Sequence, residues 1–139
     1  MPIDFFPRVG SVLMCDFGPD PRDILPPGVM RGPLSVLPEI FKTRHVVVIQ
    51  ARSKDTSVVV PFSTVRPRRV ERFHYCLPTG KYPFLNRQEN WVKADLLTCV
   101  SCERLERVLV AGRYSHTFLD DEDVAKVQQC VLRVFGLGA

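Results

Sequence analysis

The sequence predicts a mainly β (α+β) fold: a small curled antiparallel sheet or partial β-barrel with a C-terminal helix packed on it. Three observations predict this. Short β-branched runs, such as Val46-Val47-Val48-Ile49 and Val58-Val59-Val60, recur between turns that contain proline or glycine. Only the segment near the C-terminus carries apolar residues at helical spacing. The chain has 139 residues, the size of one domain with a real core. A single domain over residues 1–139 is therefore expected.

Val9 to Phe17 reads as a first strand. Apolar residues occur on both of its alternating faces, so it is expected at the centre of the sheet. Gly18-Pro19 ends it. Residues 19–41 follow as a long connection holding six of the twelve prolines. Proline removes amide donors and favours extended backbone, so this segment is expected to be a loop lying over a site. Arg44 to Gln50 and Ser57 to Phe62 read as a hairpin joined by the polar turn Ala51–Thr56. Val70 to Leu77 alternates, with Phe73, Tyr75 and Leu77 on one face, and reads as a strand. Trp91 to Leu97 reads as another. Cys99 to Leu105 is expected to hold a short helical turn capped by Ser101, and Arg107 to Ala111 is expected to be a short strand or the end of that turn.

The terminal helix is the clearest element. Asp120 is its expected cap, and Asp121, Glu122 and Asp123 place negative charge in the first turn. Val124, Val127, Val131 and Val134 form one stripe, widened by Cys130 and Phe135. Gly136 is expected to end it.

Charge is uneven. The formal net charge is +4, but residues 42–75 alone carry eight basic and two acidic groups. The basic residues are Lys42, Arg44, Arg52, Lys54, Arg66, Arg68, Arg69 and Arg72. A local positive field of this kind attracts polyanions. No apolar run approaches the ~20 residues of a membrane span, and no export signal is read at the start, so a cytoplasmic protein is expected. The five cysteines, an odd number, argue against a disulfide framework. Cys15, Cys99 and Cys130 lie in apolar surroundings and are expected to be buried. His74, Cys76, Cys99 and Cys102 have donor types that suit zinc, but no sequence argument brings the two pairs together. No phosphate-binding loop, dinucleotide fingerprint or nucleophile elbow is present. No cofactor and no metal are expected.

Four segments in order carry a resemblance. They are Gly10 to Phe17, Arg44 to Ile49, Val58 to Thr64, and Trp91 to Leu97 continuing through Glu103-Arg104-Leu105. Together with the helix pattern from Val124 to Leu137 they resemble the MazF/PemK family of bacterial toxins from toxin–antitoxin pairs. The resemblance implies an SH3-like partial barrel and a homodimer. It implies a metal-independent, sequence-specific endoribonuclease that cuts single-stranded RNA and inhibits growth. Such enzymes drive the ribose 2′-OH against the adjacent phosphate, leaving 2′,3′-cyclic phosphate and 5′-OH ends. The resemblance also implies a cognate antitoxin as partner.

Arg44 matches the family's arginine, whose guanidinium holds a phosphate with two donors. Ser63 falls where the family usually has threonine, and Thr64 beside it is a candidate to assist. His45 replaces the family's proline. Its imidazole is a candidate acid or base, although strand alternation turns it away from Arg44. Lys42, Arg66, Arg68, Arg69 and Arg72 are expected phosphate contacts, and Tyr82 and Phe84 are candidates either for stacking on bases or for packing in the core. The long 19–41 loop replaces a shorter connection flanking the RNA groove, with Arg31 and Glu39 placed to touch RNA or antitoxin. Two alternatives stand beside this reading. One is a non-catalytic interaction protein on the same fold, as in toxins that bind gyrase. The other is a basic RNA-binding module.

Overall fold

The valine runs do form the centre of the molecule. In the computed structural model, which describes residues 2–19, 40–51, 53, 55–85 and 88–138, β1 (Ser11–Asp16), β2 (Thr43–Ala51) and β3 (Thr56–Ser63) pair antiparallel in that order. β4 (His74–Cys76) pairs with β5 (Trp91–Lys93), and β5 with the Phe62–Ser63 end of β3. β6 (Thr98–Ser101) pairs with the other end of β3. β7 (Leu105–Glu106) and β10 (Thr117–Phe118) both pair with β1. β8 (Val108–Val110) and β9 (Arg113–Ser115) form a separate hairpin. The strand path runs β10-β1-β2-β3-β5-β4 and does not close. Helix α1 spans Asp121–Val134.

Alternation along the three central strands supplies two cores. Val12, Val47 and Val60 are register partners on one face, which packs with Phe62, Val92 and Val127 of α1. Leu13, Val46, Val48 and Val59 occupy the other face with Leu105 and Val100, covered by Ile3, Phe5 and Phe17. Each fully buried valine side chain contributes about 1.5–3 kcal/mol. Burial on both faces explains why these strands are uniformly apolar rather than half polar.

Both ends of α1 follow the expected chemistry. Asp120 accepts from the Asp123 amide at 2.9 Å. Gly136, at φ +72°, donates to the Arg133 carbonyl, and Leu137 to the Leu132 carbonyl, the paired bonds of a left-handed helix end. Gly10 is the glycine that packing requires. Its φ is +93°, and a Cβ there would stand 3.0 Å from Val124 Cγ2 on α1. Gly10→Ala is expected to cost about 1–3 kcal/mol through backbone strain, read as a lower urea midpoint with an unchanged slope.

Several expected elements are corrected. The strand expected from Val70 reduces to His74–Cys76, because the Glu71 amide donates to His74 Nδ1 and the His74 amide to the Glu71 carbonyl, closing a turn. The strand expected from Trp91 to Leu97 stops at Lys93. A 3-10 turn, Ala94–Leu96, then carries the chain from one end of β3 to the other. Cys99 is exposed, whereas Cys15 and Cys130 are buried. Phe135 is 63% exposed and adds nothing to the helix stripe. Of the segment Arg107 to Ala111, Val108–Val110 is strand, and Ala111 at φ +49° opens the hairpin turn with Gly112; strands β9 and β10 have no legible alternation. Ser101 caps the turn Cys102–Arg104 as expected. The expected loop, with Arg31 and Glu39, lies outside the described residues apart from its ends, Pro19, Ile40 and Phe41.

Candidate active site

Three adjacent strands bring three polar side chains to one face. The β2–β3 register pairs Val46 with Pro61, and two further residues along it Arg44 stands opposite Ser63. The β3–β5 register pairs Ser63 with Trp91, so Lys93, two residues on, shares that face. Arg44, Ser63 and Lys93 line one small pocket of about 70 Å³, walled by Ile40, Pro61, Phe62 and Leu96.

Each of the first two is held by its own backbone. Arg44 Nε donates to the Phe41 carbonyl at 3.0 Å, which anchors the guanidinium through its inner nitrogen. Ser63 Oγ accepts from the Val65 amide at 3.1 Å and donates to the Val65 carbonyl at 3.4 Å. That local turn restricts the hydroxyl rotor, which a serine in place of threonine otherwise leaves loose. Two cations and a hydroxyl meet in one pocket, and no carboxylate lines it among the described residues. Such a site favours a phosphate-like anion.

Lys93 is the residue that sequence reasoning missed as a site residue. It sits in the apolar run Trp91-Val92-Lys93-Ala94, and nothing local separates a pocket lysine from a solvated one. Only the β3–β5 register reveals it.

The other candidates scatter. His45 follows Arg44 and therefore takes the opposite face of β2, with Met14 as cross-strand partner. Burial pushes its imidazole below the ordinary 6.5, and it does not line the pocket. Thr64 is exposed just beyond β3. Lys42 lies outside the pocket at φ +71°, its amide bonded to the Gly18 carbonyl and its carbonyl to the Phe17 amide. Arg66 stacks over the ring of Trp91 at 5.6 Å, next to the strand that carries Ser63. Arg68, Arg69 and Arg72 are exposed on the connection to β4, with Arg69 paired to Glu71 at 3.1 Å.

Of the two roles open to Tyr82, stacking or core packing, the structure has core packing. Its ring is buried in the core, and its hydroxyl donates to Asp123 Oδ2 while accepting from the Asp120 amide. Phe84 packs against the same cluster, tilted 5.3 Å from Tyr82. Burial, reinforced by Asp123, pushes the Tyr82 hydroxyl up to about 12. Asp123, read from sequence as a dipole-complementing charge, is a buried anchor of α1. It also accepts from Tyr75 at 2.7 Å and Lys81 at 2.9 Å.

The four residues weighed as zinc donors do not converge. His74 Nδ1 accepts from the Glu71 amide, Cys102 Sγ lies 3.7 Å from Ser57 Oγ, and Cys99 faces outward on β6. Among the described residues no cluster of three or more metal-binding side chains is present. No helix among them is long and apolar enough to cross a membrane.

Comparison with known proteins bears on the family and the fold. A family model described as PemK-like, MazF-like toxin of type II toxin–antitoxin system matches residues 8–135. The chain is 33% identical over 146 residues to the uncharacterized protein YifN of Escherichia coli (strain K12), covering 96% of this chain and 94% of the relative. It is 26% identical over 135 residues to an uncharacterized protein of Haemophilus influenzae, covering 91% and 88%. Its fold is similar to that of an endoribonuclease solved in complex with its cognate antitoxin from a mycobacterial species. The TM-score is 0.60 at 14% identity, over 96% of this chain and 98% of the other.

Proposed function

Because this chain belongs to the PemK-like, MazF-like toxins of type II toxin–antitoxin systems, we propose that it is an endoribonuclease for single-stranded RNA, restrained by a cognate antitoxin. The observation that carries the reading is the convergence of Arg44, Ser63 and Lys93 in one pocket. The proposed reaction is attack of a ribose 2′-oxygen on the adjacent phosphorus. The bond to the 5′-oxygen breaks, the 2′-OH loses its proton and the 5′-oxygen gains one. Arg44 and Lys93 stabilise charge on the non-bridging oxygens, and the Ser63 hydroxyl turns its proton from its 3.4 Å contact with the Val65 carbonyl to donate to one of them. The need for a 2′-OH restricts cleavage to RNA. Arg66, held on Trp91, supplies a further phosphate contact, and Arg68, Arg69 and Arg72 add a general field. We extend the proposal to a homodimer acting in the cytoplasm.

The test is cleavage of a mixed-sequence single-stranded RNA by the purified protein in excess EDTA, with fragment ends read by mass spectrometry. Defined cuts bearing 2′,3′-cyclic phosphates are expected, and none on the matching DNA. Intact RNA from folded protein, freed of any antitoxin, overturns the reading in favour of a binding protein.

A further inference from the structure

Outside the three pocket residues, the polar group best placed to influence them is His74. It is the cross-strand partner of Lys93 on the β4–β5 ladder, so both side chains leave the same face. The imidazole side chain is only 8% exposed. Its Nδ1 accepts from the Glu71 amide at 3.0 Å, which requires a lone pair there and places the proton of the neutral ring on Nε2. That nitrogen faces Asp95 Oδ1 at 3.6 Å, a long contact. Asp95 belongs to the 3-10 turn Ala94–Leu96, directly after Lys93, and Leu96 of the same turn walls the pocket. The ring thus bonds to the turn before β4 and stands beside the turn after β5, just beyond hydrogen-bond distance of it.

We propose that His74 is a positioning residue for the phosphate pocket. With Ala94 already buried in the core, the ring packs beside Asp95, limits where the exposed side of the Ala94–Leu96 turn can move, and thereby sets the direction in which Lys93 enters the pocket. The inference rests on the endoribonuclease reading for its catalytic consequence, but not for its structural one. A misplaced cation loses value steeply, because a shift on the scale of 1 Å can cost up to about 100-fold in rate.

Two substitutions separate the ring's two contacts. His74→Asn keeps an acceptor near the Nδ1 position and loses reach toward Asp95. His74→Gln keeps a donor near the Nε2 position. For the wild-type protein, imidazole nitrogen NMR should show the Nε2–H tautomer. For His74→Asn without RNA, amide shifts should change at Lys93 and residues 94–96, with the rest of β3 and β5 unmoved. With RNA, kcat should fall about 10-fold with little change in KM, and His74→Gln should recover most of it. In a Lys93→Ala background, His74→Asn should cause no further loss, because its effect passes through Lys93. A merely structural histidine would instead lower both backgrounds alike. An Nδ1–H tautomer, unmoved shifts at 94–96, or equal losses in both backgrounds each overturns the proposal. Absence of cleavage by the wild-type protein would overturn the nuclease reading, and the NMR results would still decide the positioning.

Discussion

Arg44→Ala is expected to lower RNA cleavage by about 10²–10³-fold, the usual cost of removing one preorganised donor from a site of developing negative charge. The effect should fall on kcat, since the guanidinium meets more charge in the transition state than in the bound substrate. Arg44→Lys keeps the charge and loses the planar two-donor grip, so it should recover only a small part of the rate. Single-turnover cleavage of an RNA with one cut site checks this. Arg44 also ties Phe41 through its Nε, so the variants need a matched unfolding curve. A folded Arg44→Ala protein that cleaves at the wild-type rate would remove Arg44 from the mechanism.

Asp123→Ala is expected to be the most damaging single change to stability. The carboxylate is 1% exposed and accepts from Tyr75, Lys81 and Tyr82. Removing one partner of a buried charged network costs about 3–5 kcal/mol, a large share of the roughly 5–15 kcal/mol that stabilises a domain. Lys81 is partly exposed, and solvent screening places the cost toward the lower end. Asp123→Asn retains shape and some hydrogen bonding and should cost less. The network also has a pH signature. Burial, the largest single influence, raises the Asp123 pKa, but hydrogen bonds from Lys81, Tyr82 and Tyr75 outweigh it and hold the carboxyl below its ordinary 3.8. A depressed carboxylate contributes its stability fully above the unfolded value and loses it as the pH falls from 3.8 through the folded value. Wild-type unfolding free energy should therefore drop on acidification below that point, and Asp123→Asn should show a shallower drop. Denaturant titrations across that range check both the sign and the variant.

The contrast between Asp123 and its neighbours shows how far local reading goes. Asp120, Asp121, Glu122 and Asp123 form one acidic cluster in the sequence. The cap at Asp120 is legible because capping is decided by residues three apart on one chain. The burial of Asp123 is not, because Tyr75, Tyr82 and Lys81 arrive from segments more than forty positions away. Tyr82 illustrates the same limit from the other side. An aromatic residue beside a lysine looks like a stacking surface until the helix covers it.

For the site, Arg44 and Ser63 are legible only through the order of four short segments, and neither stands out by spacing or composition. Lys93 went unrecognised for a physical reason. Strand alternation tells which residues share a face within one strand, but the pairing of β3 with both β5 and β6 depends on where the chain bends between them. The 3-10 turn at Ala94–Leu96 makes that bend and stops the strand expected to run on to Leu97.

The amino-acid sequence by itself determined what local chemistry controls. That comprises the β-branched core strands, the capped and glycine-terminated helix, the basic middle of the chain, and the side that His45 takes relative to Arg44. Tertiary structure alone decided the β2–β3–β5 register that gathers Arg44, Ser63 and Lys93, the burial of Tyr82 and Asp123, and the scattering of the cysteines. Those outcomes depend on contacts between distant segments, whose geometry is set by how two apolar faces are buried at once.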